Sequence, residues 1–218
     1  MSHAKAPAMN SAAMPPDSVQ DDALRLDLLC AYHVLDMEGQ GSGKVNPTLI
    51  FHARIYAARP DVVCVVHTHA DHVTALTATG ARFEMVTQLA AILHEDTAFL
   101  DEYDGLVVDQ GGGNHLAHAL GGKRALLLKN HGLISVGASI GAAVIGAIVL
   151  EANARWQLKV MAVGQLSPLP SDAAHDARRF LTSETNTHDR WAMFKRRALR
   201  ARPERIPAAV LQSSQPRP

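Results

Sequence analysis

Residues 62–67 read Val-Val-Cys-Val-Val-His, a run that is apolar on both faces of an extended segment until it ends on a histidine. A strand that faced water on one side would alternate apolar and polar residues, so this run predicts a strand covered on both faces. Such strands occur where helices pack on both sides of a central sheet. At 218 residues the chain is long enough for one sizeable α/β domain.

Short apolar runs and helical periodicity alternate along the rest of the chain. Helices are predicted over 21–35, from Pro47 or Thr48 to 58, and over 70–78, 116–120, 140–163 and 190–200. Further strands are predicted over 83–86, 105–108, 125–128 and 133–136, with a turn between the last two. Gly141 and Gly146 in the longest helix permit close packing of another segment against it.

Composition divides the chain into three parts. We expect residues 1–20 to be a disordered lead-in, residues 21–164 to form the α/β domain, and residues 165–218 to form a C-terminal helical extension with a frayed tail. In that extension Trp191 and Phe194 adjoin a basic cluster. We expect this helix to dock its aromatic side chains on a neighbouring subunit rather than to bind nucleic acid or a membrane.

The charge balance and the cysteines restrict the partners and the compartment. Because 21 basic residues balance 21 acidic ones, no global field attracts nucleic acid or a membrane surface. Cys30 and Cys64 do not form a disulfide framework, which favours a reducing, cytoplasmic compartment. The longest apolar run, near 140–150, is shorter than the roughly 20 residues needed to span a bilayer. These features predict a cytoplasmic protein with a small-molecule substrate.

His67 and His69 stand two residues apart at the end of the buried strand. Because alternate residues of a strand project to the same side, the two imidazoles can converge on one ion. Imidazole is a common ligand of zinc, manganese and iron, but a catalytic site needs a third protein ligand. The alternative interpretation is a pair of strand-end histidines that form hydrogen bonds with loops.

A third histidine follows another apolar run. Asn130-His131-Gly132 comes directly after residues 125–128, where the ends of neighbouring strands would meet. Gly132 would allow a tight turn that exposes His131, and Asn130 is a candidate for fixing that turn. The two motifs together favour a metal site.

These motifs resemble those of the class II aldolase and adducin head family. The resemblance covers roughly residues 21–164 and is carried, in order, by Phe51-His52-Ala53-Arg54-Ile55-Tyr56-Ala57-Ala58-Arg59-Pro60-Asp61-Val62, Val66-His67-Thr68-His69, Leu128-Lys129-Asn130-His131-Gly132 and Leu150-Glu151-Ala152. It implies a three-layer αβα domain with a central, mainly antiparallel sheet, assembled as a homotetramer. It also implies one divalent ion (Zn, Mn, Fe or Co) held by His67, His69 and His131.

A divalent ion at such a site acts as a Lewis acid on a carbonyl or a neighbouring carboxylate. That chemistry suits a carbon–carbon lyase, either an aldolase or a decarboxylase of hydroxylated carboxylic acids. The alternative is a non-catalytic binding or assembly module of the adducin-head kind. Retention of all three histidines argues against that alternative.

Two departures from the family bear on the reaction. Family aldolases place an acid/base glutamate just before the helix that holds His52, whereas this chain reads Val45-Asn46-Pro47, as in the decarboxylase-like and adducin-like branches. The substrate-anion loop after the first helix is also shortened, since residues 31–35 run almost directly into 36–39. His52 is therefore a candidate acid/base group, with a structural helix histidine as the alternative.

Neighbouring residues have weaker signals. Asp71 or His72 could orient a ligand imidazole from behind, or be solvated at the surface. His94, Glu95 and Asp96 are interpreted as part of a solvated acidic stretch, and Tyr103 could reach a neighbouring subunit's site.

Overall fold

Four short strands form one mixed sheet in the computed structural model, which describes residues 49–103, 105 and 109–201. The strands are β1 (Cys64–Thr68), β2 (Thr97–Leu100), β3 (Ala125–Leu128) and β4 (Gly132–Gly137). Their order across the sheet is β1-β4-β3-β2. The β1–β4 and β4–β3 pairs are antiparallel and the β3–β2 pair is parallel, which confirms a mainly antiparallel sheet.

Helices cover both faces of this sheet. They are α1 (Leu49–Ala58), α2 (Asp71–Ala78), α3 (Gln110–Leu120), α4 (Ile140–Val163), α5 (Ser171–Leu181) and α6 (Glu184–Ala201), with a 3₁₀ helix at Gln88–Leu93. Helices α1 and α3 pack on one face, and α2 and α4 pack on the other. The predicted three-layer αβα fold is confirmed.

Strand β3 shows why the sheet needs helices on both sides. All four of its residues are buried. Ala125 and Leu127 contribute to the core under α2 and α4, while Leu126 and Leu128 contribute to the core under α1 and α3. Alternate residues of a strand point to opposite faces, so an entirely apolar strand requires two apolar cores.

Helix α4 accepts close neighbours through its glycines, as the sequence predicted. A Cβ on Gly141 would lie 2.6 Å from Cγ of Trp191, and a Cβ on Gly146 would lie 2.3 Å from Oγ of Ser135 on β4. Trp191 of α6 is therefore buried within its own chain, at 6% exposure. The expectation that this tryptophan docks on a neighbouring subunit was wrong, because Gly141 leaves a space for its ring.

The segment 83–86 is not a strand, although it was predicted to be one. Its backbone groups bond instead to two buried side chains of α4. The Glu84 N–H donates to Gln157 at 3.0 Å, and the Asn153 amide donates to the Glu84 carbonyl at 2.7 Å. Side-chain partners thus satisfy the polar backbone that a neighbouring strand would otherwise have to satisfy.

Three elements were not predicted, the 3₁₀ helix at Gln88–Leu93 among them, and several predictions fall outside the described residues. Strand β2 lies inside the stretch interpreted as solvated, and α5 lies in the polar C-terminal extension. The lead-in, the helix over 21–35, the shortened loop, most of the strand over 105–108 and the terminal tail lie outside the described residues. Among the helices that the structure describes, none is both long and apolar enough to cross a membrane.

Candidate metal centre

The end of β1 brings two imidazoles together. His67 lies within the strand and His69 follows its last residue, so both side chains project to the same side. Their Nε2 atoms are 3.1 Å apart. The structure therefore places this pair as the sequence predicted.

The turn between β3 and β4 adds a third imidazole. Strand β4 pairs antiparallel with β1, with Leu133 opposite Thr68, so the turn lies beside the end of β1. His131 in this turn has its Nε2 atom 2.9 Å from Nε2 of His69. The ligand atoms of His67, His69 and His131 all lie within 4.8 Å of one another. We refer to these residues as the three-histidine cluster.

Two unusual backbone conformations shape this turn. Asn130 has a φ of +54°, a left-handed conformation that asparagine adopts more readily than most residues. Gly132 has a φ of +153°, and a Cβ at this position would lie 2.3 Å from the Thr68 carbonyl oxygen. The close approach of β4 to β1, which carries His131 to the other two histidines, thus requires glycine.

The ring of His67 is oriented by the neighbouring strand. Its Nδ1 atom donates a hydrogen bond to the Leu133 carbonyl at 2.9 Å, so in the neutral ring Nε2 carries a lone pair. The pKa of His67 is lowered to about 3, chiefly by burial, and the adjacent histidines act in the same direction. Burial also lowers the pKa of His131. Neutral nitrogens that converge at one point suit a divalent cation, so the donor set fits a metal ion.

A glutamate from α4 supports the segment that follows His69. Helix α2 begins after Ala70, which has no side chain able to cap it. The Glu151 carboxylate fills that role: it accepts hydrogen bonds from the backbone N–H groups of His72 and Val73, each at 3.0 Å. Its Oε1 also lies 2.5 Å from Nδ1 of His72. Glu151 thereby fixes the start of α2 close to His69.

Sequence reasoning missed this role of Glu151 and gave His72 a different one. We expected His72 or Asp71 to orient a ligand imidazole, but His72 pairs with Glu151. The sequence feature that could have indicated this role is a single glutamate directly after the apolar stretch 140–150. Helix α2 also contacts the turn of the cluster, because the Thr74 hydroxyl donates to the His131 carbonyl at 3.2 Å.

His52 lies near the cluster on α1. The Phe51 ring contacts the His52 ring at a centroid distance of 4.4 Å and the His67 ring at 5.2 Å. Burial lowers the pKa of His52. The histidine is therefore neutral near pH 7 and packs against the aromatic ring that lies on His67.

Two openings flank His131. One, of about 430 Å³, is bordered by His69, Asn130 and Tyr103, and the other, of about 250 Å³, is bordered by Tyr103 and His115. Tyr103, whose side chain is 61% exposed, borders both openings of its own chain.

Lys129 borders the second opening, and its charge has a partner. Its Nζ atom lies 2.8 Å from Asp101 Oδ1. The hydrogen bond from Lys129 lowers the pKa of the Asp101 carboxyl group. This ion pair places the Lys129 ammonium group at the surface beside the opening.

A family model described as the class II aldolase and adducin N-terminal domain matches residues 10–158. The chain belongs to this family. Within it, the chain is similar to a Streptomyces roseochromogenus subsp. oscitans protein named 4-hydroxy-3-prenylphenylpyruvate oxygenase/4-hydroxy-3-prenylbenzoate synthase. The two are 38% identical over 135 residues, which cover 62% of the chain and 49% of that protein. It is 35% identical over 145 residues to the decarboxylase NovR of Streptomyces niveus, covering 66% of the chain and 54% of that protein. The chain thus spans about half the length of these curated relatives.

The fold of this class II aldolase family member also matches solved structures. The L-fuculose 1-phosphate aldolase from Glaciozyma antarctica PI12 superposes with a TM-score of 0.75 at 22% identity, covering 92% of the chain and 96% of that structure. At this identity the match supports the fold alone.

Proposed function

We propose that the chain is a divalent-metal-dependent carbon–carbon lyase in which His67, His69 and His131 hold the ion. The observation that carries this proposal is the convergence of three imidazole nitrogens within 4.8 Å at adjacent strand ends. When bound, a divalent ion supplies a Lewis acid beside a carbonyl or carboxylate. The chain's own contribution is to hold three imidazole donors in place, with Glu151 and Gly132 fixing the segments that carry them.

Within this class we propose decarboxylation of a hydroxylated carboxylic acid ahead of aldol cleavage of a sugar phosphate. Residues 45–52, the segment in which family aldolases place their acid/base glutamate, contain no carboxylate. The name of one Streptomyces relative, a decarboxylase, favours the same choice, while the other is named both an oxygenase and a benzoate synthase. Both reactions break a carbon–carbon bond next to a group that the same ion could polarise.

His52 is the proposed proton-transfer group and Asn130 a proposed positioning residue. His52 is neutral near pH 7 because burial lowers its pKa, so its ring can accept a proton. A His52→Gln variant should keep its metal content but lose about 100-fold in kcat/KM, with a changed pH profile. Unchanged kinetics would leave His52 as a structural helix residue.

For Asn130 the relevant comparison is between two replacements. Asn130→Gly retains access to the left-handed backbone and should keep the bound metal, whereas Asn130→Val should weaken metal binding, because a β-branched residue is strained there. Equal metal affinities in the two variants would contradict the positioning role.

Metal content and product release together test the main proposal. Elemental analysis should show that His67→Ala loses about one divalent ion per chain relative to the wild type, while His118→Ala, on the exposed side of α3, loses none. Hydroxylated aromatic carboxylic acids should release carbon dioxide in a reaction that a chelator abolishes and added manganese or zinc restores, whereas sugar phosphates should not be cleaved. A folded chain that binds no ion at these histidines would overturn the proposal.

That last outcome would favour a second candidate, a non-catalytic binding or assembly module of the adducin-head kind. The family itself supports this candidate, because its model spans both aldolases and adducins. We further propose a cytoplasmic homotetramer, supported by family membership and by the two cysteines, which do not form a disulfide framework. Light scattering of the purified chain would test the tetramer.

A further inference from the structure

A second group of potential metal ligands lies where α5 packs on the core. His94 and Glu95 follow the 3₁₀ helix, and His175 projects from α5. One ligand atom from each of these residues lies within 4.8 Å of the others. The two imidazole rings are 4.6 Å apart between centroids, and the Glu95 carboxylate lies 3.4 Å from His175 Nε2 and 3.8 Å from His94 Nε2. We refer to this group as the His94–Glu95–His175 cluster.

The backbone that carries His94 and Glu95 is held by cations from two other elements. Arg178 of α5 donates to the His94 carbonyl at 2.7 Å and to the Asp96 carboxylate at 2.8 Å. Lys123 donates to the Glu95 carbonyl at 2.5 Å. These bonds hold Glu95 in a left-handed conformation, with a φ of +54°, that a glutamate rarely adopts. The cluster is therefore built on a segment with a defined conformation.

Helix geometry explains how α5 can both bind residues 94–96 and add a ligand to the cluster. His175 and Arg178 are three residues apart, so both side chains lie on the face of α5 that meets residues 94–96. Arg178 binds the segment and His175 adds its imidazole to it. Ser171, at the start of the same helix, brings its hydroxyl oxygen to 3.2 Å from His94 Nε2.

The donor types are those of a zinc site. Two imidazoles and one carboxylate form a known three-ligand set for zinc, with a fourth position left for water or a hydroxyl. The His94 side chain is 12% exposed, whereas Glu95 and His175 are open to solvent, so an ion can reach the cluster. We propose that His94, Glu95 and His175 form a second divalent-cation site, of the zinc type, that links the C-terminal helices to the α/β core.

This site uses none of the residues of the three-histidine cluster, so the two can be tested separately in the full-length chain. After treatment with a chelator, calorimetric titration with zinc alone should give about two equivalents for the wild type and about one for His175→Ala or for His67→Ala. The matched control is His188→Ala, an exposed helical histidine on α6, which should still bind about two. Glu95→Gln retains the side-chain length and should lose the same equivalent as His175→Ala.

Thermal unfolding gives an independent readout. Zinc should raise the melting temperature of His67→Ala, in which the three-histidine cluster is broken, and should no longer raise it in the His67→Ala/His175→Ala double variant. A His175→Ala variant that binds as much zinc as the wild type would overturn the second site, as would a His67→Ala variant that binds none. If the three-histidine cluster does not bind zinc, the wild type and His67→Ala should instead bind the same number of zinc equivalents.

Discussion

Gly132 and Thr68 approach so closely that a Cβ on the glycine would lie 2.3 Å from the threonine carbonyl oxygen. This approach joins the turn of His131 to the end of β1, where His67 and His69 lie. The same glycine has a φ of +153°, a conformation that is strained for any residue with a side chain. One backbone position thus controls the geometry of the three-histidine cluster.

We therefore expect Gly132→Ala to lower the free energy of unfolding by about 3 kcal/mol and to weaken zinc binding. The reason is that the added methyl group must push β4 away from β1. Urea denaturation and zinc titration would measure the two effects. Gly122→Ala is the matched control, because a Cβ at Gly122 meets nothing within 4 Å. Equal stability of the two variants would contradict the steric explanation.

Glu151→Ala should remove the external cap of α2. The loss leaves two backbone N–H groups without their carboxylate partner, so we expect a destabilisation of about 1–3 kcal/mol. Because α2 begins two residues after His69, zinc affinity should fall by about 10–100-fold. Glu151→Gln keeps one oxygen acceptor and should lie between the alanine variant and the wild type. An alanine variant that binds zinc as tightly as the wild type would show that Glu151 does not support the metal site.

Stability of the metal-free chain should decrease as the pH falls below about 6.5. Burial lowers the pKa of His67 from 6.5 to about 3 in the folded chain, so between these values the unfolded chain binds the proton more readily. The stabilisation is fully present above pH 6.5 and is lost towards pH 3, with a slope of up to about 1.4 kcal/mol per pH unit. Urea denaturation from pH 7 to pH 5 in chelator would measure this slope. His67→Asn should reduce it, and an unchanged slope in that variant would assign the effect to other groups.

Gly141→Ala should destabilise the packing of α6 on α4. Its Cβ would lie 2.6 Å from Cγ of Trp191, so the indole must shift, at a cost of about 1–3 kcal/mol. Tryptophan fluorescence during urea denaturation would report both the shift and the stability. Gly111→Ala in α3 is the contrasting variant, since its Cβ meets only a 3.4 Å contact and alanine favours a helix. If both variants were equally stable, Trp191 would have more room than the structure indicates.

Three of the four strands and the three-histidine cluster were predictable because their signals are local. The run 62–67 required cover on both faces, and two histidines at strand spacing had to point the same way. The third histidine was placed correctly because both motifs end apolar runs, and neighbouring strand ends meet in space. The family resemblance rests in part on the same two motifs, so it pointed to the same three histidines.

The features that were missed depend on contacts between distant parts of the chain. Glu151 caps α2 across a separation of 79 residues, which no local pattern reveals. Strand β2 has only four residues, so it offers too little alternation to stand out from the polar stretch around it. The space that receives Trp191 exists because Gly141 lies on another helix. In each case the partner, rather than the segment itself, determines the structure.

Composition set the polar region after Gly164 apart from the α/β domain, but Asp96 ties that region to the domain. Its buried carboxylate binds both Arg124, which precedes β3, and Arg178, which belongs to α5. A chain shortened to the domain limit at residue 164 would remove one of these two guanidinium groups and would uncover the surface of α4 that Trp191 occupies. Expression trials that trim the protein at this limit should therefore yield an insoluble product, and residues 171–201 belong in any minimal folding unit.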